Sequence, residues 1–356
     1  MAWPNPNEYL EALQNPQAVF SDPALRAGRV ITDRLGLPRP ISGNFAVVFQ
    51  VETGGKTWAV RCFLRETTDQ EQRYAGISRH LAAHRPDYTV GFAYQPQGIR
   101  LRGQWYPILK MEWVKGQRLD THIETLATRS DRAGLETLSR RWGALMAQLR
   151  SDQIAHGDLQ HGNIVVDEHG QIKLIDYDGM VVPSLAHLRS PELGHRHYQH
   201  PTRTSGGGIT PENFLNIDNF SAWVIGLSIR LLHIDPTLWQ QTAAGDDRLL
   251  FAERDFKSLR GAQQPTQPLQ LLQTHAQPAV QQAVQQLAEL ARQESYLRVA
   301  PFSSADLLNG AVPLPLPPTT TPLDLGPEPT SAAPPARRTP PAQRPDSLPE
   351  LSLIHI

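Results

Sequence analysis

The feature that most constrains this chain is the stretch IAHGDLQHGNIVVDEHGQIKLIDYDGM, residues 154 to 180. It sets Asp158, Asn163 and Asp176 among residues that read as buried: Ile154 and Leu159, then Ile164, Val165 and Val166, then Ile172, Leu174 and Ile175. Half-burying an ionised carboxylate costs several kcal/mol unless a cation or a donor compensates. Two Asp and one Asn converging at strand ends therefore point to a bound cation. The plainer alternative is that they are turn residues capping strands, a routine use of Asn and Asp.

Hydrophobic periodicity divides the chain around this stretch. Residues 1–30 form an N-terminal extension, with helical hints around EYLEALQN followed by a polar bend. ISGNFAVVFQV, TGG and KTWAVRCFL predict two strands joined by a tight glycine turn. DQEQRYAGISRHLAAH spaces Tyr74, Ile77 and Leu81 as a helix would, and GFAYQPQGIRLRGQWYPILKMEWV predicts further strands. Beyond Gly116 the pattern is mainly helical. Trp142, Leu145 and Leu149 share one face, and so do Val280, Val284, Leu287 and Leu290. FSAWVIGLSIRLLH is apolar nearly all round and predicts a buried helix.

From residue 311 to 350 the composition shifts to Pro, Thr and Ala, with 13 of the chain's 31 prolines. Such a segment builds no core and predicts a tether. The final LSLIHI, residues 351–356, departs from that composition; it is expected to be a non-native tail, with the natural chain continuing beyond it.

Composition narrows the function classes. A hydrophobic content of 40% with 19% charged residues fits a soluble globular protein. The formal net charge of −1 offers no attraction to nucleic acid or an anionic membrane surface. Cys62 is the single cysteine, which excludes an internal disulfide framework and a Cys-based zinc site. MAWPNPNEYL lacks a basic start followed by an apolar run, and no stretch approaches the roughly 20 apolar residues a membrane helix needs. The expectation is a cytoplasmic protein with no membrane segment and no nucleic-acid partner.

His156-Gly157-Asp158-Leu159-Gln160-His161-Gly162-Asn163 and Asp176-Tyr177-Asp178-Gly179 resemble the H-x-D-L-x-x-x-N and D-x-G motifs of the protein-kinase superfamily. The resemblance extends over about residues 40 to 308 and leans towards atypical bacterial serine/threonine kinase-like proteins. It implies an α+β, two-lobed protein-kinase-like fold, with a β-rich N-lobe over 31–115 and a mainly helical C-lobe over 116–310. It also implies ATP with Mg²⁺ (or Mn²⁺). Asp158 would orient the attacking hydroxyl, and Asn163 and Asp176 would offer hard oxygen ligands to the metal. Trp58-Ala59-Val60-Arg61 stands where V-A-[IV]-K is usual, so Arg61 would grip the phosphates. In the phosphate-covering hairpin SGNFAVVF only Gly43 remains of the glycines, and Val48 and Ala59 would line the nucleotide. LKMEWVKGQRLD resembles the adenine-carrying hinge, with Met111 before it and Glu112 to Val114 supplying backbone groups. Asp120 would reach the ribose. Tyr198 to Pro201 resembles the end of an activation segment, IDNFSAWVIGL the helix whose Asp218 holds the catalytic loop from behind, and RVAPFSSADLL the closing turn and helix.

The departures are specific. Glu71 is the nearest helical carboxylate to partner Arg61, but it lies too close in sequence and reads as an ordinary solvated charge. Gln160 replaces the usual Lys, and His-Gly-Asp replaces His-Arg-Asp. Asp178 is either a further metal oxygen or a turn residue. His195, His197 and His200 invite a zinc reading, but without a Cys or carboxylate beside them they read as polar packing. Gly206 to Gly208 is a flexible turn. Ser184, Ser190, Thr202, Thr204 and Ser205 are candidate phosphosites, although most loop hydroxyls are not. The expected activity is Mg²⁺-dependent transfer of the ATP γ-phosphoryl to a hydroxyl, on a protein substrate. The alternatives are a small-molecule hydroxyl acceptor or a nucleotide-binding scaffold without turnover.

Overall fold

A computed structural model of the chain describes residues 3–42, 46–67, 69–190, 192–203, 209–261, 263–311 and 314–317. Gly43, Thr204, Ser205, Gly206 to Gly208, most of the Pro-rich segment and the 351–356 tail lie outside the described residues.

Three short helices open the fold: α1 (Pro6–Ala12), α2 (Pro16–Val19) and α3 (Pro23–Arg26). Each starts on a proline, whose missing N–H is no loss in a first helical turn. Asn5 caps α1 in a capping box with Glu8, and Asp22 caps α3. Strands β1 (Arg29–Val30), β2 (Pro40–Ser42), β3 (Ala46–Thr53) and β4 (Lys56–Phe63) follow, then helix α4 (Gln70–His84), β5 (Phe92–Leu101) and β6 (Gln104–Glu112). They form a six-stranded sheet in the order β1-β3-β4-β6-β5, with β2 also on β3, and every pairing is antiparallel. Gly54 and Gly55 turn β3 into β4 with φ of 54° and 82°, the left-handed pair that a two-residue hairpin turn demands.

The period of two along each strand sorts this sheet into two faces. Val47, Phe49, Val51, Val60, Cys62 and Ile108 point one way and are covered by Tyr9, Leu13, Phe20 and Leu25 from the opening segment. Tyr9 is fully buried and gives its hydroxyl to the Phe63 carbonyl at 2.7 Å. The opening segment is therefore part of the core. The opposite face carries Ala46, Ala59, Phe63, Leu109 and Met111 and joins the main core of the helical half.

After β7 (Gly116–Arg118) come α5 (Leu119–Thr128) and α6 (Arg132–Ser151), then β8 (Ile164–Asp167) and β9 (Ile172–Leu174). β7, β8 and β9 form a second antiparallel sheet. Helix α7 (Asn219–Ile234) is followed by α8 (Leu238–Gln241), α9 (Glu253–Leu259), α10 (Gln267–Gln273), α11 (Pro278–Ala291) and α12 (Ser304–Asn309). α7 is the apolar helix read from the sequence, with 13 of its 16 residues buried. Trp142 of α6 and Trp223 of α7 are fully buried, and each indole N–H finds a carbonyl at 3.0 Å, on Ala222 and Ala300. Burial of that area with its one polar atom satisfied anchors the helical half. Among the described residues no helix is long and apolar enough to cross a membrane.

Candidate active site

Two loops meet below the large sheet. One runs from Ile154 to Asn163 between α6 and β8, and the other from Ile175 to Val181 beyond β9. Ala155 and Val181 exchange backbone hydrogen bonds of 3.0 and 2.8 Å, and the Ile175 N–H donates to the Asn163 carbonyl at 3.0 Å. The first loop hangs from α7. The Asp218 carboxylate accepts the N–H groups of His156 at 2.5 Å and Gly157 at 2.9 Å. Arg203 holds the Gly157 carbonyl at 2.8 Å from the other side. Gly157 has φ +82°, and a Cβ there would lie 2.1 Å from the Gly179 carbonyl oxygen, so the close approach of the loops requires glycine. The His156 Nε2–H donates to the Ile175 carbonyl at 3.0 Å, a further tie between the loops.

This frame aims Asp158 and Asn163 at each other. The Asn163 amide nitrogen donates to Asp158 Oδ2 at 2.9 Å and to the Asp158 carbonyl at 3.0 Å. The other carboxylate oxygen accepts the His195 N–H at 2.6 Å. Burial pushes the Asp158 carboxyl up from its ordinary range, with the His195 hydrogen bond opposing it. Gln160 accepts the Gly162 N–H at 2.7 Å and so caps the turn between Asp158 and Asn163.

Asp176 stands at the exit of β9 with φ 61°, a left-handed backbone that L-residues avoid without a compensating reason. Arg61, projecting from β4 opposite Val48, supplies a partner: it ion-pairs with Asp176 through Nη1 and with Asp178 at 2.5 Å through Nη2. Burial lowers the Arg61 pKa, but the two carboxylates outweigh it and hold the guanidinium well above its ordinary value. Burial pushes the Asp178 carboxyl up further than Arg61 pulls it down. Tyr74 of α4 completes the set by donating its hydroxyl to Asp178 Oδ1. Glu71 has no part in this arrangement among the described residues.

Glu192 and the 194–195 backbone lie over Asp158. The Glu192 carboxylate is packed so close to Gly179 that a Cβ there would meet it at 2.7 Å. Burial, with Asp176, Asp158 and Asp178 nearby, pushes its carboxyl up to about 9. His195, His197 and His200 do not gather round a cation. The His197 Nδ1 accepts the Glu253 N–H at 3.0 Å, its Nε2 faces Asp247 at 3.1 Å, and His200 pairs with the Thr202 hydroxyl at 2.8 Å.

The residues read as nucleotide contacts fall on the inner face of the large sheet and the strand that leaves it. Val48 is opposite Arg61, and Ala59 is opposite Met111. The Glu112 N–H is committed to the Gly91 carbonyl at 2.8 Å and the Trp113 N–H to Thr57 at 3.0 Å. The Val114 N–H makes no hydrogen bond among the described residues. Asp120 is buried in the first turn of α5, with both oxygens on Arg118 at 3.1 and 2.8 Å. Among the described residues no three His, Cys, Asp or Glu side chains converge to hold a metal. The fit to a hard cation rests instead on Asn163 Oδ1, left over once its nitrogen is committed to Asp158, and on Asp176. Two such oxygens suit an ion that takes its remaining ligands from phosphate and water.

Sequence reasoning missed Tyr74, Glu192 and Arg203. Tyr74 reads as one more apolar position on an amphipathic helix, and Glu192 and Arg203 lie in an irregular segment with no period to place them. No local signal marks any of the three.

A mixed helix-and-sheet fold that sets Arg61 of the large sheet against Asp176 and Asp178 is compatible with a kinase-like fold. Residues 106–189 match the family model of the ABC1 atypical kinase-like domain. The chain is also similar to the MAP kinase kinase MKK1/SSP32 of Saccharomyces cerevisiae, 25% identical over 203 residues, 55% of this chain and 38% of that protein. With the MAP kinase kinase skh1/pek1 of Schizosaccharomyces pombe it is 29% identical over 126 residues, 34% of this chain and 32% of that protein. The aligned part is thus well under half the length of the curated relatives, and the chain carries a kinase-like domain.

Proposed function

We propose that this chain is a two-lobed, Mg²⁺-dependent phosphotransferase that moves the ATP γ-phosphoryl to a hydroxyl, as a serine/threonine protein-kinase-like enzyme. In this reading the nucleotide lies between residues 31–115 and 116–310. Val48 and Ala59 flank the base, Glu112 and Val114 offer backbone groups to it, and Asp120 turns from Arg118 towards the ribose; Gly43, expected over the phosphates, lies outside the described residues. Arg61 exchanges a carboxylate for a phosphate oxygen. Asn163 and Asp176 would hold the cation, Mg²⁺ or Mn²⁺, and the ion would supply positive charge against the phosphate oxygens. Asp158 accepts a hydrogen bond from the acceptor hydroxyl and orients it along the line of attack. The acceptor is a protein side chain.

The observation that supports this reading is the Asn163 amide nitrogen committed to Asp158, which leaves the Asn163 Oδ1 for a cation beside the Asp158 carboxylate. A second reading, nucleotide binding without turnover, draws on a different observation: both oxygens of Asp158 already have donors, Asn163 and the His195 N–H. Transfer of label from γ-labelled ATP with Mg²⁺ or Mn²⁺ separates the readings. The reaction is offered the protein itself, a mixed protein extract and small hydroxyl acceptors. Protein labelling that falls by about 10²–10⁴-fold in Asp158→Ala supports the enzyme, as expected for loss of a positioned base. Label on small acceptors alone moves the acceptor class. No label on any acceptor, with Mg²⁺-dependent nucleotide binding lost in Asp176→Ala, supports the scaffold. Binding that is indifferent to Asp176→Ala removes the metal assignment.

A further inference from the structure

Residues 314–317, Leu-Pro-Leu-Pro, lie outside every helix and strand and are tied to the fold at one of them. The Leu316 N–H donates to the Arg298 carbonyl at 2.8 Å, and the Leu316 carbonyl accepts from Arg298 Nε at 3.0 Å. Glu294 steadies Arg298 through an ion pair of 2.5 Å. Leu314, Pro315 and Pro317 make no hydrogen bond among the described residues. Leu314 is 87% exposed, and Pro315 and Pro317 are exposed as well. A bare leucine alone signifies little; here the chain around it is also restricted. From Val312 to Pro317, with Pro318 next in the sequence, every residue is a proline or precedes one. Proline holds φ at about −65° and pushes the residue before it out of the helical region. A proline at every second position also withholds the N–H groups a strand ladder needs. The polyproline II helix, which has no internal hydrogen bonds, meets both conditions.

We propose that this segment is a docking ligand for another protein, namely a small module that reads proline through a groove lined by aromatic rings. A polyproline II helix turns once in about three residues, so it has three edges. Leu314 and Pro317 share one edge, Pro315 starts a second, and Leu316 lies on the third. A groove can touch two edges of such a rod and leaves the third facing away. The fold grips the segment at Leu316, on the edge a groove does not need, so the segment can be held and read at the same time. Gripping it in advance lowers the ordering cost of binding. The inference does not depend on turnover at Asp158.

The chemistry of the segment selects the groove. Pyrrolidine rings offer flat apolar faces, and aromatic rings pack against them; indole and phenol groups then donate to carbonyls, the one polar group a proline presents. An aliphatic groove supplies no such donors. The flanking charge narrows the choice further. No Lys or Arg occurs from residue 299 to residue 336, and Arg298 is taken up by Glu294. A groove that requires a cation beside the prolines, such as an SH3 groove with a carboxylate pocket, finds none. The partner is therefore of the WW type, in which stacking and hydrogen bonds to carbonyls carry recognition.

The test titrates a ¹⁵N-labelled WW domain that reads leucine-flanked prolines with the unlabelled full chain, and a ¹⁵N-labelled SH3 domain in parallel. The indole N–H signals of each groove report binding. The wild-type chain should shift and broaden the WW signals saturably. Leu314→Ala and Pro315→Ala should each weaken that binding at least about tenfold, with the unfolding temperature unchanged because both side chains are exposed. Leu316→Ala should stay within about twofold of wild type, since it keeps the backbone grip and its side chain faces away from the groove. Absence of WW binding overturns the proposal. WW binding that survives both Leu314→Ala and Pro315→Ala also overturns it, because prolines further along the chain then carry the interaction. A response confined to the SH3 domain overturns the choice of partner, and a loss in Leu316→Ala equal to that in Pro315→Ala overturns the edge geometry on which the site rests.

Discussion

Replacing Tyr74 by Phe isolates one bond of the cluster that links α4 to Arg61. The ring itself loses little: it is 3% exposed, stacks on Tyr94 at 5.2 Å and meets Phe92 edge-on at 5.8 Å, contacts that Phe retains. What disappears is the hydrogen bond to Asp178. A bond to a charged partner contributes about 1.5–3 kcal/mol, and here Asp178 Oδ1 is left without a donor in a buried setting. The expected loss is therefore about 2 kcal/mol, which for a chain of this size lowers the unfolding midpoint by roughly 3 °C. Urea denaturation of Tyr74→Phe, Asp178→Ala and the double variant separates the pair from its surroundings. The cycle should return a coupling of about 1.5–3 kcal/mol. Tyr74→Phe within about 0.5 kcal/mol of wild type, with a coupling no larger, would refute the claim that α4 is tied to Arg61 through Asp178.

Three further outcomes follow from the same geometry. Gly157→Ala sets a Cβ against the Gly179 carbonyl in a left-handed backbone, so it should destabilise by about 2 kcal/mol or more in urea denaturation and leave Mg²⁺-nucleotide binding weakened in parallel. Glu192, with its folded pKa pushed up to about 9, stabilises fully below its unfolded value, and that contribution fades as pH rises through the folded one. Wild type should therefore lose thermal stability between roughly pH 5 and 9 more steeply than Glu192→Gln, whose neutral amide does not titrate; curves parallel over that range would remove Glu192 from the buried carboxylate cluster. Tyr9→Ala should cost about 3–5 kcal/mol in chemical denaturation, because the opening segment covers one face of the sheet; a near-neutral result would make that segment dispensable.

Much of this arrangement is legible one segment at a time. The glycine turn between β3 and β4, the amphipathic faces of α6 and α11 and the all-apolar α7 each repeat a local period, and local periods survive in a one-dimensional reading. The Asp158–Asn163 pair is legible for the same reason: both residues sit on one short loop, where spacing alone sets their distance. The opening residues were harder. Their three proline-started helices are too short to show a period, and only the uncovered face of a sheet formed later in the chain explains why Tyr9, Leu13, Phe20 and Leu25 are apolar.

By itself, then, the sequence determined the local elements, the apolar faces they must bury and the oxygen-bearing loop between α6 and β8. Only the tertiary structure decided which groups share charge. Arg61 meets Asp176 and Asp178 across more than a hundred positions of chain. From α4 it is Tyr74, through Asp178, and no helical carboxylate that reaches the Arg61 cluster, and Arg73 beside it keeps two donors without partners among the described residues. Such pairings are set by how whole elements pack against one another, and an ion pair or a buried hydrogen bond leaves no periodic trace in the residues between its ends.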